Sequence, residues 1–156
     1  MKLYLVQHGE ALSKEVDPDR PLSEQGKSDV QSIAAFLKKA NIRVEQVFHS
    51  GKSRALETAE ILSTALYSSG AVKLLECINP NDDIAPFAQS IPTWKADSLV
   101  VGHLPFMSRV VSTLLIENTD QELVSYMPGS LVCLERNEAG QWRLAWMIRP
   151  ELFRHQ

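Results

Sequence analysis

Short apolar runs alternate with helix-patterned segments along most of this chain. An alternation of this kind predicts an α/β fold in which helices cover both faces of a mostly parallel sheet. Near the carboxyl end, two strand-like segments flank a turn-forming sequence, which predicts a final hairpin with an antiparallel edge strand. The fold class is therefore a three-layer α/β/α sandwich. The predicted strands are Leu3 to Val6, Val44 to Phe48, Val72 to Leu75, Ser98 to Val101, Ser130 to Glu135 and Trp142 to Ile148.

Four helices are predicted between these strands from apolar residues at helical spacing. Ser23 is the expected cap of the first helix, and the second begins near Lys52. The apolar positions are Val30, Ile33, Ala34 and Leu37 in the first helix, Ala55, Ala59, Leu62 and Leu66 in the second, and Met107, Val110, Val111 and Leu114 in the last. A short helix over Ile84 to Gln89 precedes that last one.

Composition and charge exclude several classes of function. The chain of 156 residues is 44% hydrophobic, which suits a single domain over residues 1–156 with a real core. A net charge of -3 offers no basic excess, so no nucleic-acid partner is expected. Cys77 and Cys133 lack metal-site spacing and are expected to be reduced in the cytoplasm. The longest apolar runs are too short to span a bilayer, so no membrane partner is expected.

Two histidines follow predicted strands directly. His8 comes after the first strand and is followed by Gly9, while His103 stands in Gly102-His103-Leu104-Pro105 after the fourth. Ligands of open α/β sheets bind at the carboxyl ends of the strands, and glycine permits a close approach of backbone to ligand. The two rings are therefore predicted to face one crevice.

Two arginines are predicted to reach the same edge. Arg54 lies in the first turn of the second helix, and Arg20 lies in the loop that leaves the first strand. A guanidinium group binds phosphate oxygens in a bidentate manner, and a helix N-terminus adds donors and positive potential. The sequence thus predicts a site for a phosphoryl group surrounded by two histidines and two arginines.

In this order, the motifs resemble those of the histidine phosphatase superfamily, and within it the small SixA-type phosphohistidine phosphatases. The resemblance implies a phosphoglycerate mutase-like fold and a nucleophilic His8, with Arg20, Arg54 and His103 binding the phosphoryl group and stabilising the transition state. It also implies a metal-independent enzyme of signal transduction, with no cofactor, that takes its phosphoryl group from a phosphohistidine-bearing protein. The matching segments are His8-Gly9, Arg20 to Gly26, Ser50 to Ala59, Gly102 to Pro105 and the final hairpin.

One position departs from the family pattern. The residue before the nucleophilic histidine is usually arginine, and here it is Gln7. An amide still offers hydrogen bonds to phosphate, but charge-assisted bonds are about twice as strong as neutral ones. Weaker phosphate binding is expected, unless Lys52, at the turn before the second helix, supplies the missing charge.

The general acid has two candidates. Glu76 follows the third strand, and Asp17 precedes Arg20 by three residues. Neither is required for a phosphohistidine substrate, because its leaving imidazole can be protonated on the other ring nitrogen. The 48 residues between Arg54 and His103 leave no room for a helical lid, so the site should be open and shallow.

Other interpretations stay open at this point. The chain could hydrolyse small phosphomonoesters, or bind phosphate as a weakly active regulatory module, which the glutamine at position 7 would suit. A metal hydrolase is disfavoured because the histidines lack ligand spacing such as His-Glu-x-x-His. Ser50 and Thr58 are explained equally well by a role near the phosphate and by packing. His49 is expected to be a buried structural ring.

Overall fold

A six-stranded sheet forms the centre of the computed structural model, which describes residues 1–66 and 71–154. The spatial order of the strands is β3-β2-β4-β1-β5-β6. The first four strands in that order are parallel, whereas β5 pairs antiparallel with both β1 and β6. This topology confirms the predicted mostly parallel sheet with an antiparallel edge strand. The strands are β1 (Lys2–Gln7), β2 (Gln46–His49), β3 (Lys73–Leu74), β4 (Ser98–Gly102), β5 (Leu131–Arg136) and β6 (Trp142–Ile148).

Helices cover both faces of this sheet and complete the three layers. On one face, Val6 and Val101 pack with the apolar sides of α1 and α2. On the other face, Leu5 and Val100 pack with α3 and α4. Successive strand residues thus enter different cores, as the period of two requires. The helices are α1 (Glu24–Lys39), α2 (Ser53–Leu66), α3 (Ala85–Ser90) and α4 (Phe106–Ile116), with 3-10 turns at Ile91–Thr93 and Pro150–Phe153.

Helix α1 docks closely against the loop that follows β1. Ser23 caps the helix as predicted, because its Oγ accepts a hydrogen bond from the backbone N–H of Gly26. A Cβ atom at Gly26 would lie 2.1 Å from the carbonyl oxygen of Glu10, and one at Gly9 would lie 2.8 Å from Val30. Both glycines therefore permit this close approach. Gly9 serves helix packing here, where the sequence suggested an approach to ligand.

Strand limits differ from the sequence prediction where tertiary contacts intervene. Strand β2 begins at Gln46 because the backbone N–H of Val44 donates to Leu66 and that of Glu45 donates to Asp97. Strand β3 contains two residues only. In β6, Trp146 faces Cys133 while Leu144 faces Leu134, so Ala145 forms a bulge. The bulge sends the two tryptophans of β6 to opposite cores.

Three further expectations from the sequence concern the cysteines, membrane-spanning segments and His155 near the carboxyl terminus. Cys77 and Cys133 are both free thiols, the first exposed and the second buried. None of the described helices has the length and apolar character to cross a membrane. His155, expected to be solvated, lies outside the described residues.

Candidate active site

Three parallel strands, β1, β2 and β4, end side by side and bring the predicted groups together. Gln7 and Gly102 are register partners in β1 and β4, and His49 of β2 pairs with Val101. The next residue along β1 and β4 is in each case a histidine. The ring centroids of His8 and His103 are 5.0 Å apart, as the shared crevice predicted.

His8 is held in one defined orientation and protonation state. Its Nδ1 lies 2.7 Å from the carbonyl oxygen of Gly9, so this nitrogen carries the hydrogen and donates it. Its Nε2 accepts a hydrogen bond of 3.3 Å from Nε of Arg54. Burial lowers the pKa of His8 to about 4; the hydrogen bond to the Gly9 carbonyl opposes this shift, and the charges of Arg54 and Arg20 add to it. A neutral imidazole with its lone pair on Nε2 can act as a nucleophile.

Arg54 stands in the first turn of α2. Thr58 ties this helix to the loop after β1, which carries His8 and Gly9. The hydroxyl of Thr58 donates to the carbonyl of Arg54 at 2.7 Å and accepts the backbone N–H of Gly9 at 3.0 Å. Thr58 is fully buried. One side chain therefore fixes the backbone of His8 relative to Arg54.

Arg20 reaches the site from the loop between β1 and α1. A hydrogen bond of 2.8 Å from the backbone N–H of Leu12 to the carbonyl of Pro21 brings the two ends of the loop together. Arg20 adopts the left-handed backbone conformation (φ 49°), and its Nε donates to the carbonyl of Leu12 at 3.1 Å. Its charge lowers the pKa values of both His8 and His103, which places it electrostatically within the site.

His103 is almost completely buried at 2% exposure. Its Nε2 lies 2.6 Å from Oγ of Ser50, the residue directly after β2. Burial lowers the pKa of His103 to about 3, and His8, Arg54, Lys52 and Arg20 lower it further in that order. The surroundings of this ring therefore carry a surplus of positive charge that an anion would neutralise.

Comparison with known proteins agrees with this geometry. The model of the histidine phosphatase superfamily (branch 1) matches residues 3–76, which hold His8, Arg20 and Arg54. The phosphohistidine phosphatase SixA of Escherichia coli K12 is 24% identical over 155 residues, covering 96% of this chain and 94% of the relative. Residues 3–76 of this chain are thus similar to the histidine phosphatase superfamily, and the whole chain is similar to SixA. His103 lies beyond the matched segment, and the fold brings it to the same site.

Solved structures of other phosphatases share the fold of this chain. The structure of the protein histidine phosphatase SixA complexed with tungstate aligns with a TM-score of 0.85 at 23% identity, covering 99% of this chain and all of that one. A phosphoserine phosphatase mutant of Entamoeba histolytica aligns with a TM-score of 0.71 at 14% identity, covering 94% of this chain and 95% of that one. These alignments confirm the phosphoglycerate mutase-like fold.

Gln7, which stands where the superfamily pattern has arginine, is buried at 9% exposure. Its backbone is fixed by hydrogen bonds to Ser130 and Gly129. Its Oε1 is buried and has no hydrogen-bond partner within the described part of the chain. Lys52, considered above as a replacement charge, lies near enough for its charge to lower the pKa of His103.

Both general-acid candidates stand apart from the histidines. Glu76 is exposed, and Asp17 accepts the backbone N–H of Asp19 within its own turn. Across residues 1–66 and 71–154, no hydrogen bond or ion pair joins either carboxylate to His8 or His103. His49 is buried, and its Nδ1 accepts the backbone N–H of Gly51.

Sequence reasoning left Ser50 equally open to a role near the phosphate and to packing, and the structure joins it to His103. The signal for that contact was its position: Ser50 comes directly after β2, just as His8 and His103 come directly after β1 and β4. Among the described residues, no group of three or more His, Cys, Asp or Glu side chains is arranged to hold a metal ion.

Proposed function

We propose that this hydrolase is a metal-independent phosphohistidine phosphatase that acts on a phosphohistidine-bearing protein, with residues 1–156 as one catalytic domain. The state of His8 carries the proposal. Its Nδ1–H is committed to the Gly9 carbonyl, so Nε2 keeps the lone pair, which accepts a hydrogen bond of 3.3 Å from Nε of Arg54. Because burial and nearby cations keep the ring neutral, the nucleophile needs no further base at neutral pH.

In the first step, Nε2 of His8 attacks the phosphorus of the substrate phosphohistidine. A new nitrogen-phosphorus bond forms, the substrate's nitrogen-phosphorus bond breaks, and the leaving imidazole departs neutral because its other nitrogen holds a proton. Arg20 and Arg54 bind the equatorial oxygens, where charge develops in the transition state. Water then attacks the phosphorus on His8, which releases hydrogen phosphate and the free imidazole.

The positions of the carboxylates support phosphohistidine over an alkyl phosphate. An alkoxide leaving group needs a proton from a general acid, and neither Glu76 nor Asp17 contacts the histidines within the described residues. An imidazole leaving group has no such need. The half-exposed positions of His8, Arg20 and Arg54 also suit a phosphoryl group presented from a protein surface.

The testing experiment is phosphate release from a phosphohistidine-bearing carrier protein in the presence of a metal chelator. The parent protein should release phosphate, and His8→Ala should not. Acid-sensitive, alkali-stable labelling of the parent by the phosphorylated carrier would identify the phosphohistidine intermediate. Glu76→Gln is the matched control and should retain full activity, since Glu76 is exposed and, in the described part of the chain, makes no hydrogen bond or ion pair with His8 or His103.

Other results would select other functions. Efficient turnover of a small phosphomonoester, with no action on the carrier, would identify a small-molecule phosphatase and contradict the proposal. Tight phosphate binding without a labelled intermediate would identify a binding module. Activity that the chelator abolishes would contradict metal independence.

A further inference from the structure

The hydrogen bond between Ser50 and His103 connects β2 to β4 at the centre of the site. The distance from Oγ to Nε2 is 2.6 Å, and the ring is 2% exposed. The other ring nitrogen, Nδ1, is buried and has no hydrogen-bond partner in the described part of the chain. Ser50 therefore occupies one nitrogen of His103, and the buried Nδ1 is the nitrogen that has no partner among those residues.

Neighbouring groups indicate which atom donates in this bond. The backbone N–H of Lys52 donates to Oγ of Ser50 at 3.5 Å, so the serine oxygen already accepts one hydrogen. A hydroxyl that accepts a hydrogen bond keeps its own hydrogen, so Oγ can donate that hydrogen to Nε2. A ring that accepts at Nε2 carries its hydrogen on Nδ1, because the bond made by one nitrogen decides the state of the other.

The charges that face His103 favour a neutral ring. The cations are Arg54 on α2, Lys52 in the turn before α2 and Arg20 in the loop after β1, and the His8 ring directly after β1 also faces His103. All of them oppose a positive charge on the imidazole, and burial opposes it more strongly. A phosphoryl oxygen accepts hydrogen bonds and donates none at its anionic positions, so Nδ1 must carry a hydrogen to bind it.

We propose that Ser50 is a positioning residue that holds His103 as the neutral Nδ1–H tautomer, so that this N–H donates to a phosphoryl oxygen without the ring being charged. The inference rests on the proposed function for the identity of the ligand. His103 is thereby a hydrogen-bond donor in the empty site as well as in the loaded one. The site gains a fixed donor and avoids placing another cation beside Arg54.

Nitrogen NMR of the ligand-free protein tests the tautomer directly. At neutral pH, His103 should show a protonated Nδ1 and an unprotonated Nε2. In Ser50→Ala, the Nδ1–H form should lose population, and the affinity for inorganic phosphate measured by calorimetry should fall about tenfold, the effect of one hydrogen bond. Ser50→Thr keeps the hydroxyl and should restore both the tautomer and the affinity.

Ser53→Ala is the matched control, since this serine begins α2 in the same turn and should change neither readout. A protonated Nε2 in the parent protein would overturn the inference without reference to any variant. Unchanged phosphate affinity in Ser50→Ala would also overturn it. If the parent shows the Nδ1–H tautomer but binds no phosphate, the result supports the role of Ser50 and contradicts the proposed function.

Discussion

The chemistry of this site depends on the orientation and protonation of individual side chains, which their hydrogen-bond partners fix. His8 differs from an ordinary imidazole because its Nδ1 donates a hydrogen bond to the Gly9 carbonyl and its Nε2 accepts one from Arg54. The sequence placed His8 at the end of a buried strand, and the five motifs in their order, through the family resemblance, predicted a reactive role. It did not reveal the tautomer, because the partners come from a neighbouring carbonyl and from α2.

The titration of His8 should follow its surroundings. With its pKa lowered to about 4, mainly by burial, His8 should stay neutral from pH 5 to pH 8. An NMR titration of the ring should therefore show a midpoint near 4. Arg54→Met should move the midpoint upward, because a cation that opposes the imidazolium is removed. A midpoint near the usual 6.5 in the parent protein would contradict this prediction.

Gln7→Arg should strengthen phosphate binding. The new guanidinium would replace a neutral donor with a charged one, and a charge-assisted hydrogen bond exceeds a neutral one by enough to improve affinity about tenfold. Calorimetry with inorganic phosphate and the rate of carrier dephosphorylation measure the effect. Lys73→Met is the control for a change in total charge, since Lys73 hydrogen-bonds Gln46 instead of facing the histidines. No gain in affinity or rate would show that Gln7 does not limit the site.

At the scale of the element, contacts between neighbouring elements fix the site. Helix α1 packs closely against the loop after β1 at Gly26, and Thr58 of α2 is hydrogen-bonded to the same loop. The helical periodicity predicted both helices, but their docking depends on close contacts made between segments distant in the chain. Thr58 was equally consistent with packing and with a role near phosphate, and the structure shows it linking Gly9 to Arg54.

Thr58→Val should disturb stability and the site together. Valine keeps the shape but leaves the backbone N–H of Gly9 without its acceptor, at a cost of about 1–3 kcal/mol in the free energy of unfolding. Urea denaturation measures the loss, and the dephosphorylation rate should fall because the backbone of His8 is less well held. Thr58→Ser retains the hydroxyl and should keep most of both. Equal behaviour of the two variants would show that the hydroxyl is not responsible.

At the scale of the whole molecule, the end of the described chain packs against α1, the helix that contacts the loop after β1. Asp29 of α1 is 2% exposed and accepts two hydrogen bonds from the Arg154 guanidinium, the shorter at 2.7 Å, and one from Gln25. Phe153 packs on Phe36 beside them. This contact ties the carboxyl-terminal segment to α1.

Replacement of Arg154 should lower the stability of the fold, because the buried carboxylate of Asp29 would lose its charged partner. Arg154→Gln leaves a buried carboxylate with less compensation, so thermal unfolding should begin at a lower temperature. The double variant Asp29→Asn with Arg154→Gln removes the charge as well and should recover part of the loss. Arg143→Gln, on the exposed side of β6, is the control. A double variant no more stable than the single one would contradict this account.

The sequence by itself determined the order of strands and helices, the two histidines at strand ends and the arginines beside them. Those features depend on apolar periodicity and on short motifs, which are local. Only the tertiary structure decided that Ser50 meets His103, that Glu76 and Asp17 stand apart, and that Gly9 serves helix packing. Each of these depends on the distance between side chains or backbone groups from different segments. Such distances are fixed when the sheet and helices pack together, and local patterns do not encode them.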